Sequence, residues 1–335
     1  MKSLDNYWYS RNIVSLLLLP LSWLFRLLAN LRHLSYRCGL RHTQSMPVPV
    51  IIVGNISVGG TGKTPLTVWL VQCLKQAGYR PGIVTRGYQG KASHWPQQVR
   101  ADSDPVMVGD EAVLLAQRCQ CPVAVDPRRV VAVQALLQYN DCDVIIADDG
   151  LQHYALGRDI EIAVIDGVRR FGNGRCLPAG PLREPISRLN SVDFIVVNGG
   201  STLNREYRMS LHAEKFHRVN NDATIVDLDE LRNERVHAVA GIGNPKRFFS
   251  QLRGMGLTVI PHAFADHHDF IEADFNFDDG LAVIMTEKDA VKCRRFAHDK
   301  MCYLSIDAEV DQRVATQLLA QLAKTIRNKN GQQTT

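Results

Sequence analysis

From Gly54 to Thr64 the chain reads GNISVGGTGKT, a run of glycines closed by a lysine and a hydroxyl. Glycines let main-chain amides converge on phosphate oxygens, Lys63 adds a point charge, and Thr64 offers its hydroxyl to magnesium. Ser57 to Thr64 are therefore the candidate nucleotide cradle: Ser57, Val58, Gly59, Gly60, Thr61, Gly62, Lys63 and Thr64. Ser57 stands where the usual G-x-x-x-x-G-K-[ST] pattern has its first glycine, and Gly59 and Gly60 can supply that freedom instead. A magnesium-dependent site needs a carboxylate at the end of a neighbouring strand. Val144 to Asp149, VIIADD, provides Asp148 and Asp149 at the carboxyl end of a buried apolar run. Two further segments carry ionisable groups suited to moving a proton from an attacking hydroxyl. Asp110 in VGDE opens a helical pattern, with a simple capping role as the alternative. Residues 265–269, ADHHD, lack helical or strand period and read as a loop, a metal site or a solvated turn being the alternatives.

The elements around these residues are legible from periodicity. A β-branched run, Val48 to Val53, precedes the loop, and Leu66, Trp69, Leu70, Cys73, Leu74 and Ala77 follow at helical spacing before Gly78. Pro65 is tolerated because the first helical turn has no amide partner to lose. Short strands at 83–85, 123–125, 162–165 and 194–197 alternate with helical stretches at 111–118 and 129–137. That alternation predicts an α/β chain: a P-loop, doubly wound, mostly parallel sheet. Residues 205–235 read as short strands in a polar stretch. From Val236 the β-α-β rhythm restarts, predicting a second, smaller α/β unit in which Gly241-Ile-Gly243 makes a strand-to-helix turn. The predicted division is 1–44, an N-terminal amphipathic membrane-associating segment; 45–204, the P-loop domain; 205–235, a linker; 236–327, the second domain; and 328–335, a polar tail.

The charge is unevenly placed. The chain has 335 residues and a formal net charge of +5, all of which lies in residues 1–45. The remainder is neutral, which argues against a nucleic-acid binder. Eight scattered cysteines without a C-x-x-C pair exclude a disulfide scaffold and a zinc ribbon. Asn12 to Phe25 is uncharged and oily, yet shorter than the roughly 20 residues a spanning helix needs, and Pro20 weakens its middle. Leu27, Leu28, Leu31 and Leu34 then interleave with Arg26, Arg32 and Arg37, predicting a segment that lies in a membrane interface on the cytoplasmic side. A helix buried against the protein's own body is the alternative. No small-x-small site follows the apolar run, so a cleaved signal is not expected.

Assembled in order, these residues resemble the tetraacyldisaccharide 4'-kinases, the lipid A 4'-kinases of Gram-negative bacteria. The resemblance rests on VGNISVGGTGKTP at 53–65, TRGY at 85–88, GDE at 109–111, DPR at 126–128, DDGLQH at 148–153, LPAGPLRE at 177–184, GIGNP at 241–245, Asp266-His267 and TEKDAVK at 286–292. In that family the serine at position 57 is usual. The resemblance implies transfer of the ATP γ-phosphate to the 4'-hydroxyl of a tetraacylated glucosamine disaccharide 1-phosphate, giving lipid IVA at the cytoplasmic face of the inner membrane. It also implies two α/β/α units joined by a two-stranded linker. Asp110 resembles the family's base, tuned by His267, with Lys63 stabilising the β- and γ-phosphates. Thr64 and Asp149, with Asp148, Glu111 and Gln152, would organise Mg2+. An anionic substrate makes Arg86, Arg128, Arg129 and Arg183 candidate clamps. The implied partners are the acylated disaccharide phosphate and the inner-membrane surface, with no nucleic acid and no obligate protein partner. A regulatory P-loop GTPase or membrane-partition ATPase is the rival reading. Thr286 to Asp289 (TEKD) has the guanine-motif letters in the wrong order for it, and the intact Lys63, Thr64 and paired aspartates disfavour a non-catalytic adaptor.

Overall fold

The computed structural model describes residues 7–10, 12–232 and 234–333; Lys2, Asp5 and Arg11 of the basic segment and the last two residues of the polar tail lie outside them. The chain begins with helices α1 (Ile13–Leu17) and α2 (Leu19–Arg37). It continues through β1 (Val50–Gly54), α3 (Lys63–Gln76), β2 (Pro81–Thr85), β3 (Gln97–Val99), α4 (Pro105–Val108), α5 (Asp110–Cys119), β4 (Val123–Val125), α6 (Arg129–Tyr139), β5 (Val144–Asp148), β6 (Ile160–Asp166) and β7 (Phe194–Asn198). Beyond lie β8 (Glu206–Arg218), β9 (Ile225–Val226), α7 (Leu228–Arg232), β10 (Arg235–Ala240), α8 (Pro245–Gly254), β11 (Thr258–Ala263), β12 (Ala282–Thr286), α9 (Glu287–Cys293), β13 (Met301–Val310) and α10 (Gln312–Gln333).

Among the described residues thirteen strands form one sheet, ordered β11-β10-β12-β13-β8-β7-β6-β1-β5-β2-β4-β3, with β9 on β8. β1 lies between β5 and β6, parallel to both, so its carboxyl end opens where the strand order reverses. β1, β5 and β6 are buried along their whole length because helices cover both faces, and this is why they read as unbroken apolar runs. One face packs Ile51 and Val53 against Leu66 and Leu70 of α3 and Leu115 of α5. The other packs Ile52 and Ile145 against Val133 and Leu136 of α6. Around β10 to β13, Val236 and Ile284 pack with Phe248 and Leu252 of α8.

Three sequence expectations are modified. The stretch 205–235 is not a set of short strands: β8 runs for 13 residues, parallel to β7 at its start and antiparallel to β13 thereafter. Among the described residues of β8 only Met209 and Phe216 are fully buried hydrophobics, so a half-exposed joining strand reads as short strands in a polar stretch. Pro20 does not weaken the middle of a helix. It lies in the first turn of α2, where its missing amide costs nothing, and the apolar run is divided at Leu18. Finally, α10 returns from the second half to the first, burying Val314, Leu318 and Leu322 in the cluster that holds Ile51 and Leu66. Lys329 anchors its far end by donating to the carbonyls of Met46 and Val48.

Candidate active site

β1 delivers the chain into the glycine loop, and α3 starts at Lys63. Gly62 has φ +96°, and a Cβ there would lie 2.7 Å from Asn198 Nδ2, so only glycine fits. Asn198 donates to Thr61 O at 3.1 Å and Val58 N to Pro181 O at 2.8 Å, holding the loop from two sides. No side chain caps the N-terminus of α3, which leaves its first amides and dipole for an anion. Lys63 Nζ lies 3.5 Å from Asp149 Oδ1, and Arg183 donates to both oxygens of the same carboxylate at 3.0 and 3.1 Å. Burial opposes ionisation of Asp149, but Lys63 and Arg183 prevail and bring its pKa down to about 2. Asp148 ends β5, fully buried, and accepts from Thr67 Oγ1 at 3.1 Å. Burial pushes it up to about 7 against the pull of Lys63. The two aspartates are thus differentiated: Asp149 is a charged group at the loop mouth and Asp148 a buried support behind it.

A cleft of about 1150 Å³ contains the loop, Lys63, Thr64 and Asp149 on one side and His267 and Lys288 on the other. Asp110 is the first residue of α5, set by Gly109 at φ +93°, where a Cβ would meet Tyr88 O at 2.7 Å. It is 6% exposed. Its Oδ1 accepts from its neighbour Glu111 N at 2.8 Å, and its Oδ2 lies 3.1 Å from His267 Nδ1, 157 residues along the chain. His267 itself has φ +58°, a strained conformation for its type, held by its amide donating to Gly241 O at 3.0 Å and by the edge of Tyr88 at 5.3 Å between ring centroids. Burial would raise the Asp110 pKa, yet the hydrogen bond from His267 and the charges of Lys288 and Lys292 hold it below the ordinary carboxylate value. A carboxylate kept ionised and touching an imidazole is equipped to receive a proton.

The remaining candidates divide. Arg86 and Arg183 line the cleft; Arg128 does not, its side chain being 75% exposed beside Asp126. Its neighbour Arg129 points inward instead, 3% exposed, with Nε unpartnered and its pKa brought down to about 10 by burial. Glu111 is paired with Lys288 at 3.0 Å. Gln152 uses its amide to donate to Asn55 O at 3.0 Å and Glu184 Oε2 at 2.7 Å. Sequence reasoning left Lys288, Lys292, Tyr88 and His153 without roles. The available signal was that Lys288 and Lys292 stand four apart, which puts them on one face of α9.

The groups near Lys63 are oxygen donors: the Thr64 hydroxyl, the ionised Asp149 and Asp148 behind it. They suit a hard cation such as Mg2+. Among the described residues no group of three or more His, Cys, Asp or Glu could hold a metal by itself. An Mg2+ ion here would be bound through one or two carboxylates together with nucleotide phosphates and water.

Comparison with known proteins shows the family. The sequence model of the family described as tetraacyldisaccharide-1-P 4'-kinase (LpxK) matches residues 14–323. The tetraacyldisaccharide 4'-kinase of Nitrosococcus oceani is 53% identical over 98% of this chain and 97% of its own length. That of Methylobacillus flagellatus is 52% identical over 96% of each. The crystal structure of apo-form LpxK from Aquifex aeolicus in complex with ATP superposes with a TM-score of 0.80 at 28% identity, covering 94% of this chain and 99% of that one.

Proposed function

Because the chain belongs to the tetraacyldisaccharide-1-P 4'-kinase family, we propose that its cleft carries the γ-phosphate of ATP to the 4'-hydroxyl of a tetraacylated disaccharide 1-phosphate. The observation that carries the residue assignments is that His267, 3.1 Å from Asp110, lines the same cleft as Lys63 and Asp149. Asp110 takes the proton of the attacking hydroxyl as the new O–P bond forms and the bond from Pγ to the β,γ-bridging oxygen breaks, leaving ADP. His267 orients Asp110. Lys63 and the amides of the loop and α3 hold the β- and γ-phosphates. Thr64, Asp149 and Asp148 would hold Mg2+, which when bound neutralises phosphate charge. Arg86, Arg129 and Arg183 supply further positive charge along the cleft.

The membrane assignment rests on an inverted helix pattern. In α1 and α2 the buried residues are Ser15 and Ser22, while Leu17 is 74% and Trp23 65% exposed. Ser22 donates to Cys176 O at 2.7 Å and Arg175 to Ser15 Oγ at 3.0 Å, so small polar residues dock the helices and leave leucines outward. No described helix is long and apolar enough to cross a membrane. Our reading is that α1 and α2 lie in the cytoplasmic membrane interface with these leucines toward lipid, and Phe25, Leu28 and Arg32 of α2 line the cleft. Extracting four acyl chains would cost about 0.8 kcal/mol per CH₂, so catalysis at the bilayer surface avoids that barrier. The reading is tested by incubating the full chain with ATP and the tetraacylated disaccharide 1-phosphate in mixed micelles. Mass spectrometry should find one added phosphate on the distal sugar; ADP release without a phosphorylated lipid contradicts it.

A further inference from the structure

We propose that Lys288 is a positioning residue for phosphoryl transfer: its ammonium, acting with the Asp110 carboxylate, fixes the ring proton of His267 on Nδ1 and so keeps the Asp110–His267 pair in working order. The inference rests on the reading of Asp110 as the base. Lys288 Nζ lies 3.1 Å from His267 Nε2 and 3.0 Å from Glu111 Oε1. An ammonium has three donors and no acceptor, so the contact with the ring is a hydrogen bond only when Nε2 accepts. The ring proton of neutral His267 then sits on Nδ1, facing Asp110 Oδ2 at 3.1 Å. With the opposite tautomer, Nε2–H would point at the ammonium and the Nδ1 lone pair at the carboxylate, and both contacts would turn repulsive.

Lys288 is itself fixed. Its side chain is 17% exposed and anchored by Glu111, and α9 is clamped to α5 by Arg118, which donates to both Glu287 oxygens at 2.8 and 2.9 Å. The other charged groups facing His267 do not duplicate its role. Asp266 lies 4.0 Å from Nε2, and Lys292 turns to Asp289 at 3.1 Å and to His268 O at 3.0 Å. Lys288 thus links the two halves of the cleft, giving one hydrogen bond to α5 and one to the histidine loop.

Long-range proton–nitrogen correlation spectra of the full chain labelled in histidine test this directly, with His267 identified by difference from His267→Gln. The wild type should show the Nδ1–H form. Lys288→Met should lower the population of the form protonated on Nδ1 alone and lower kcat about 10- to 100-fold with an unchanged KM for ATP, while Lys288→Arg recovers part of the loss. An Nε2–H signal in the wild type overturns the proposal whether or not any variant folds, as does wild-type kcat in Lys288→Met. If Glu111→Gln and Lys288→Met lose equal activity and His267 keeps its tautomer in both, Lys288 serves Glu111 and the proposal fails. Full turnover in Asp110→Asn would instead remove the base reading, leaving the tautomer of His267 as a separate fact.

Discussion

At the scale of single residues, the cleft works by giving similar groups different environments. Asp149 is charged beside two cations, Asp148 is buried behind it, and Asp110 is ionised against an imidazole. His153 shows the same effect in reverse. Burial and the nearby Arg129, Arg158 and Arg32 depress its pKa to about 4 from an ordinary value near 6.5. Between those values the unfolded chain binds the proton and the folded one does not. The stability associated with His153 is therefore complete above about pH 6.5 and is lost as pH falls toward 4. Urea unfolding between pH 4 and 7 should show a shallower acid-side decline for His153→Gln than for the wild type; parallel curves would show that His153 is not the group responsible.

At the scale of elements, the paired ends of α5 and α9 bring the halves of the cleft together. Arg118 in the last turn of α5 meets Glu287, the first residue of α9, and burial holds the Glu287 carboxyl above its ordinary pKa despite that partner. Arg118→Met strands a buried carboxylate and should cost about 3 kcal/mol in denaturant unfolding, with Glu287→Gln added to it recovering more than half. A loss below about 1 kcal/mol would place the pair among solvent-screened surface contacts. This scale also separates what the sequence reveals from what it hides. The glycine loop and the aspartates after β5 are local: strand, turn and helix lie within a few residues, and periodicity finds them. The length of β8 is hidden because its polar positions outweigh Met209 and Phe216 in the sequence pattern. The pairing of Asp110 with His267 spans 157 residues, and no spacing rule reaches that far; only the family resemblance linked them. The spacing of Lys288 and Lys292 gives them one helix face but no role, since the partners of Lys288 lie on α5 and on the loop after β11. Arg128 and Arg129 are adjacent in sequence, and only the start of α6 decides which one faces inward.

At the scale of the whole molecule, a soluble nucleotide and an acylated lipid must meet in one cleft, and α2 borders it. Replacing Leu17, Leu24 and Leu27 by Ser removes exposed side chains that make no core contact, so the melting temperature should hold. At about 1.5 kcal/mol or more per leucine, vesicle partitioning should fall at least about 100-fold. Undiminished sedimentation with vesicles would move the membrane contact elsewhere. The central claim is that Asp110 draws the proton from a sugar hydroxyl while the nucleotide is held independently by the loop around Lys63. Single-turnover phosphorylation of the tetraacylated disaccharide, measured beside ATP affinity for wild type and Asp110→Asn, tests it most directly. The transfer rate should fall by about 10² to 10⁴ with ATP affinity unchanged. A rate and an affinity that fall together would contradict it, placing Asp110 among the groups that merely hold the nucleotide.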